Sequence, residues 1–197
     1  MQGPFQGKIR GQKIIVTDKS AIDFLSARGY GLSRETELQL DLIEAAYLTY
    51  RGLLVVEDEK GGKLSFSDLL SVGSSYDPDF WIKLNVYTDL RNRALVVMPG
   101  VSKSEFLVDW KKKDGARRFL VRVLHEGSKI SFSDFEEMHR RALESDRELV
   151  VAIVDKEGVI TYYTVEGVVR VAPIEAEDYE QVQSQQEGQE RASGEGA

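Results

Sequence analysis

The chain has 197 residues, 42% of them apolar and 30% charged, a net charge of −7, two histidines and no cysteine. That composition is globular and holds one medium domain or two small ones; it excludes disulfides, thiolate nucleophiles, zinc fingers, iron–sulfur clusters and a histidine-rich metal cage. The longest apolar runs fall far short of the roughly 20 residues of a membrane helix, and residues 1–14 are Gly- and Lys-rich rather than a signal-peptide core, so the expectation is a soluble, cytoplasmic protein.

In chain order, residues 13–16 form a short apolar strand, and Asp18 or Ser20 is placed to cap a helix reaching Arg28. Gly29-Tyr30-Gly31 interrupts the chain. From Leu38 to Arg51 two apolar stripes, one through Leu42, Ala45, Ala46 and Thr49 and the other through Ile43, Ala46, Tyr47 and Tyr50, predict a helix sandwiched between layers. Gly52 ends it, residues 53–57 read as a strand, and residues 58–62 turn. Ser65-Phe66-Ser67-Asp68 opens a helix by a capping pattern. Residues 74–78, small and polar with Pro78, are the expected linker, after which Asp79 is placed to cap a helix reaching Arg93.

The second half reads as strongly β. Strands are expected at 95–98, 105–110 and 119–124, the last two alternating at Phe106/Val108/Trp110 and Phe119/Val121/Val123. Residues 131–145 form a helix with Phe132, Phe135, Met138, Ala142 and Leu143 inward. Residues 149–154 are a continuous β-branched run, as in a central strand covered on both faces, turning through Asp155-Lys156-Glu157-Gly158 into a hairpin. Strand, helix and strand over 119–154 make a crossover unit with parallel strands. The fold class is α/β (α+β), with a small N-terminal α/β domain at 1–77 and a second domain at 78–172 built on a mixed sheet with flanking helices. Residues 173–197 hold seven acids against one base, so −6 of the net −7 lies there and −1 is left for residues 1–172. Few large apolar side chains occur in that tail, which is expected to stay disordered.

Little catalysis is legible in the residues alone. No G-x-S-x-G elbow, phosphate loop or H-E-x-x-H occurs. His125 and His139 read as structural or surface histidines. Glu136 and Glu137 diverge by about 100° on a helix and cannot flank one atom. Trp110 through Arg118 carries five bases in nine residues: Lys111, Lys112, Lys113, Arg117 and Arg118. That cluster at a hairpin tip either grips a phosphate backbone, with Trp110 free to stack, or is a solvated turn with Trp110 packed inward.

Residues 41–48 (Asp-Leu-Ile-Glu-Ala-Ala-Tyr-Leu), 63–69 (Lys-Leu-Ser-Phe-Ser-Asp-Leu), 86–93 (Val-Tyr-Thr-Asp-Leu-Arg-Asn-Arg) and 149–155, with Gly158 and Tyr162-Tyr163, resemble the archaeal tRNA splicing endonuclease family. They occur in the family's order over residues 8–171, and the Tyr-Asp-Leu-Arg segment is the most specific of them. The resemblance implies an N-terminal α/β domain and a restriction-nuclease-like C-terminal domain. It also implies metal-independent, cofactor-free cleavage of a bulge–helix–bulge RNA, in which a ribose 2′-OH attacks the adjacent phosphate to leave a 2′,3′-cyclic phosphate and a 5′-OH. That chemistry needs a base, an acid and a cation for the phosphorane charge, roles the family gives to tyrosine, histidine and lysine. Following the motifs, Asp109 holds the tyrosine's place, Ala116 the histidine's and Arg147 (or Glu148, with the register shifted by one) the lysine's. The expectation is a catalytically dead, structural subunit of a heterotetramer of two catalytic and two structural chains, meeting precursor tRNA through the complex. Partner contacts are expected from the acidic loop residues Asp155 and Glu157 and from a C-terminal strand including Val168, Val169 and Val171. Two alternatives stand beside it: cleavage by displaced groups such as Tyr87 or His125 with Arg147, and a stand-alone RNA-binding module using the basic hairpin.

Overall fold

Six short strands build the first sheet. Phe5–Arg10 (β1) and Lys13–Val16 (β2) form a hairpin, followed by helix Lys19–Ser26 (α1), strands Leu32–Ser33 (β3) and Leu38–Asp41 (β4), helix Leu42–Tyr50 (α2), strands Leu54–Glu57 (β5) and Lys63–Leu64 (β6), and helix Phe66–Tyr76 (α3). The computed structural model describes residues 4–112 and 115–167, with only the backbone of Lys112. The order is β3-β4-β2-β1-β5-β6, with β1 and β5 parallel and every other pairing antiparallel. The expected disordered tail, and Lys113, Val168, Val169 and Val171, lie outside the described residues.

Three expectations change in this half. β1 has no counterpart in the hydrophobic pattern because its inward position 7 is a glycine, where a Cβ would meet the Ile14 side chain at 2.6 Å. The helix expected from Leu38 begins at Leu42. Leu38 and Leu40 alternate inward as a strand, and Asp41 and Glu44 then close a capping box that starts α2. The expected linker at 74–78 has no slack, for α3 runs through Tyr76, and a Cβ on Gly73 would lie 2.4 Å from the Phe80 ring. Other signals hold as read. Asp18 caps α1 through the Ala21 N–H at 2.8 Å, Ser65 and Asp68 cap α3 reciprocally, and α2 is buried from Leu42 through Leu48.

Helix Phe80–Asn92 (α4) leads into the second sheet: Val96–Pro99 (β7), Glu105–Lys112 (β8), Gly115–His125 (β9), helix Phe132–Glu144 (α5), Glu148–Val154 (β10) and Ile160–Val165 (β11). Asp79 precedes α4 but makes no side-chain cap; its own N–H donates to Asp77 Oδ1 at 3.0 Å. The order is β11-β10-β9-β8-β7. The crossover is as read, since β9 and β10 are parallel in the register Glu148↔Phe119 to Val154↔His125. α5 buries Met138 and Ala142, whereas Phe132 and Leu143 are exposed. Those two lie three turns apart on one line, roughly a quarter turn round the helix from the buried stripe, so the sheet never reaches them.

One core cluster runs without a break from Ile14 and Leu40 through Tyr47 and Tyr87 to Val121 and Ala152. At its centre Arg91 is buried. Its guanidinium donates to the carbonyls of Arg28 (3.0 Å), Gly29 (2.7 Å) and Val97 (2.8 Å) and to the Tyr87 hydroxyl (3.0 Å), and it stacks 3.9 Å from the centre of the Tyr30 ring. Nearby Glu44, pushed up by burial, accepts from the N–H groups of Gly31 and Asp41.

Replacing Arg91 by Met strands one buried and two part-buried carbonyls, a buried one costing about 1–3 kcal/mol unpaired, and removes the Tyr87 and Tyr30 contacts as well. The expected loss is about 3–5 kcal/mol in urea unfolding, against about 1 kcal/mol or less for Arg93→Met, whose Asp89 pair is exposed. Equal losses would refute the central role of Arg91.

Candidate functional site

The β8–β9 hairpin carries the three positions of interest. Cross-strand partners share a face, and the register Asp109↔Arg118, Trp110↔Arg117, Lys111↔Ala116 therefore sorts the hairpin cleanly. Asp109, Lys111, Ala116 and Arg118 share one face; Val108, Trp110, Arg117 and Phe119 share the other. Arg147 reaches the first face from the end of α5. The chain reverses there through Asp146, at φ 53°, and the Arg147 N–H donates to the Ala142 carbonyl at 2.9 Å.

Arg147, with 11% of its side chain exposed, is tied down. Nη1 lies 2.8 Å from Asp109 Oδ1 and 3.3 Å from the carbonyl oxygens of Val108 and Phe119, so it bridges both hairpin strands. Ala116 and Arg147 line one open hollow of about 540 Å3, with Arg117, Arg118, Leu143, Asp146 and Glu148 around them. The structure thus brings together the three positions expected from the resemblance, Asp109 through its bond to Arg147. The other cations of the hollow are also engaged: Arg117 is bidentate to Glu148 at 3.0 and 2.5 Å, and Arg118 lies 3.7 Å from Asp146. Glu148 is thereby the partner of Arg117, a role the sequence does not reveal, because it appears only once β9 and β10 are set in parallel register. Arg117 holds the Glu148 carboxyl below its ordinary value of 4.5, and Glu148 raises Arg117 in turn.

Among the described residues, none that lines this hollow is a tyrosine, histidine or lysine. Ala116 cannot carry a proton, the Asp109 carboxylate is occupied by a guanidinium, and Arg147 presents three committed contacts. The displaced candidates are elsewhere. Tyr87 is fully buried, its hydroxyl pushed far up by burial and bonded to Arg91. His125 ends β9 opposite Val154, whereas Arg147 precedes the Glu148↔Phe119 end of the same pairing, some 20 Å away at strand rise. Of the hairpin bases, Lys111 is exposed without an ion pair among the described residues.

On the opposite face Trp110 is part-exposed and lines an apolar groove of about 430 Å3 with Leu95, Val108, Phe119, Val150 and Tyr162. Tyr162 donates to Asp89 at 2.7 Å, which fixes the groove wall to α4. β11 is an edge strand, paired only with β10 among the described residues, and Tyr163 on it is exposed. At the β10–β11 turn, Asp155 Oδ1 accepts the N–H groups of Glu157 (3.0 Å) and Val159 (2.8 Å), while Asn85 donates to the Gly158 carbonyl at 2.8 Å. Asp155 therefore shapes the loop, and the exposed Glu157 is its outward charge, 3.6 Å from Lys156.

Residues 5–70 match the tRNA intron endonuclease, N-terminal domain, and residues 80–162 the tRNA intron endonuclease, catalytic C-terminal domain. A tRNA-splicing endonuclease of Pyrococcus horikoshii is 37% identical over 169 residues, 85% of this chain and 99% of that protein. One from Thermococcus kodakarensis is 36% identical over 162 residues, 81% and 96% of the two chains. Another, from Methanococcoides burtonii, is 35% identical over 164 residues, 81% of this chain and 46% of its own length. The chain belongs to the tRNA intron endonuclease family.

Because the folded Glu148 carboxyl sits below its unfolded value, its contribution to stability is present above pH 4.5 and lost as the pH falls through the folded value. Arg117→Gln is expected to return the Glu148 carboxyl toward 4.5 in an NMR titration, and to destabilise the fold at pH 7 by an amount that shrinks as the pH falls through the folded value. An unmoved Glu148 would refute the pair.

Proposed function

We propose that this chain is the non-catalytic, structural subunit of a heteromeric tRNA splicing endonuclease, which acts on bulge–helix–bulge precursor tRNA by supporting and positioning a catalytic homologue. The observation that carries the reading is the Asp109–Arg147 pair beside Ala116. Acid and base each contribute roughly 10²–10⁴ to such a reaction, and the only ionisable acids among the described lining residues, Asp146 and Glu148, face Arg118 and Arg117. The cation that remains is neutralised by Asp109 and fixed by two carbonyls, which weakens any grip on a phosphorane.

What the chain keeps is suited to a partner. A sheet edge at β11, unpaired among the described residues, borders an apolar groove, a combination fit for strand addition and side-chain docking. The loop at Glu157 is rigid, braced from inside by Asp155 and from α4 by Asn85, so an acidic contact there pays little ordering entropy. Pairing of Arg117 and Arg118 with Glu148 and Asp146 argues against the stand-alone RNA-binding module.

The purified chain is expected to leave a bulge–helix–bulge RNA uncut, and a mixture with a homologue bearing tyrosine, histidine and lysine at the three positions to release cyclic-phosphate ends. Cleavage by the chain alone, abolished by Arg147→Ala, would overturn the proposal.

Glu157→Lys is expected to weaken association with that homologue roughly three- to tenfold at low salt, an effect fading as salt rises. Calorimetric titration at two ionic strengths measures it, and an unchanged affinity removes the loop from the interface. Asp155 is unsuitable for this test, since its substitution would undo the turn.

A further inference from the structure

At the end of β9 remote from Ala116, a second, smaller cavity of about 150 Å3 opens beside the start of α4. Ligand pockets for whole small molecules run to about 300–1,000 Å3, so this one admits a single group. Arg122, Lys129, Ser104 and Ser128 line it, with Lys83 and Asp79 at the α4 side.

Charge is unbalanced here. Glu105, the cross-strand partner of Arg122, is buried and gives both oxygens to Arg141 at 2.9 and 2.5 Å, leaving Arg122 at 3.8 Å. Two guanidiniums thus compete for one carboxylate. Arg122 donates Nη1 to the Ser102 hydroxyl at 3.1 Å, while its Nε is buried with no partner among the described residues. An unpaired buried N–H on a charged group carries a desolvation cost that a ligand oxygen would relieve. Lys129 is exposed and forms no ion pair among the described residues. Lys83 is already engaged by Asp77 and by the Lys103 carbonyl at 2.7 Å. The one acid lining the cavity, Asp79, is exposed to solvent.

We propose that this cavity binds a phosphate group. A guanidinium with a free N–H, an ammonium and two hydroxyls supply donors in several directions, which suits a tetrahedral oxyanion better than a planar carboxylate. Arg122 stands six residues along β9 from Ala116, some 20 Å at strand rise, so the site is separate from the hollow at Ala116 and Arg147. The phosphate belongs either to inorganic phosphate or to the diester backbone of RNA; the shared chemistry is the claim, and it does not depend on the subunit role proposed above.

The test titrates the full-length chain with inorganic phosphate, at ionic strength matched by chloride, and reads the thermal midpoint and amide chemical shifts. Phosphate is expected to raise the midpoint by mass action and to shift amides of residues 122 and 128–129. Arg122→Gln and Lys129→Gln are each expected to weaken the response at least fivefold, with Lys111→Gln leaving it unchanged. Lys129 is exposed, so its variant keeps the test valid if Arg122→Gln folds poorly. A second arm measures a bulge–helix–bulge RNA. If the backbone is the source, Lys129→Gln reduces the salt slope of RNA binding by about one; if free phosphate is the source, the slope is unchanged while the phosphate response still falls. The proposal is overturned if both variants respond to phosphate and RNA as the wild type does, or if acetate binds as well as phosphate.

Discussion

Arg91 places a permanent positive charge where a folded protein ordinarily tolerates only apolar groups, and the surrounding backbone makes that tolerable. Carbonyls from the turn after α1 and from β7 converge on it, so the guanidinium ties that turn to the second sheet within a continuous core. The Val97 carbonyl, on the edge strand β7, would otherwise be a buried acceptor without this partner. The segment from Tyr87 to Asn92, which carried the family resemblance, is tied into this arrangement at each of its polar ends. Tyr87 and Arg91 form the internal knot, Asp89 receives the Tyr162 hydroxyl, and Asn92 accepts from Arg51 and Tyr47. These residues are architectural, and they preserve the nuclease-like frame whatever stands at the site.

That frame explains why the site positions still converge. Hairpin register sets Asp109 and Ala116 on one face, and the turn after α5 delivers Arg147 to it. Here the charges have turned inward upon one another: Arg147 with Asp109, Arg117 with Glu148, Arg118 with Asp146. A surface made for gripping a polyanion keeps its cations unsatisfied in the free state, and in this hollow they are satisfied.

Much of the second sheet was legible because its signals are local and redundant. The β-branched run at 149–154, the alternation on either side of the hairpin and the Ser131 cap each point to one element, and together they imply the parallel crossover. The first sheet was harder. β1 hides behind Gly7, whose missing side chain makes room for Ile14 and erases the alternation. The stretch 38–41 joins α2 in a helical count, because Leu38 falls in phase with Leu42 and Ala45 and only the Asp41–Glu44 capping box marks the break. Residues 74–78 look like a linker by composition, while the close approach of Gly73 to Phe80 depends on tertiary packing. At the site, the identities at 109, 116 and 147 followed from the resemblance. Their mutual neutralisation did not, since ion pairs across strands depend on register, which no single segment contains.

The bond between Asp109 and Arg147 also bears on how such a site can evolve. Changing either residue alone leaves the other as a part-buried charge without its counterion, a state less stable than one in which both are present or both replaced. Any path that replaces both residues has to cross that valley, whichever of the two changes first. The two positions are therefore coupled by epistasis, like a ratchet whose pawl is a single ion pair.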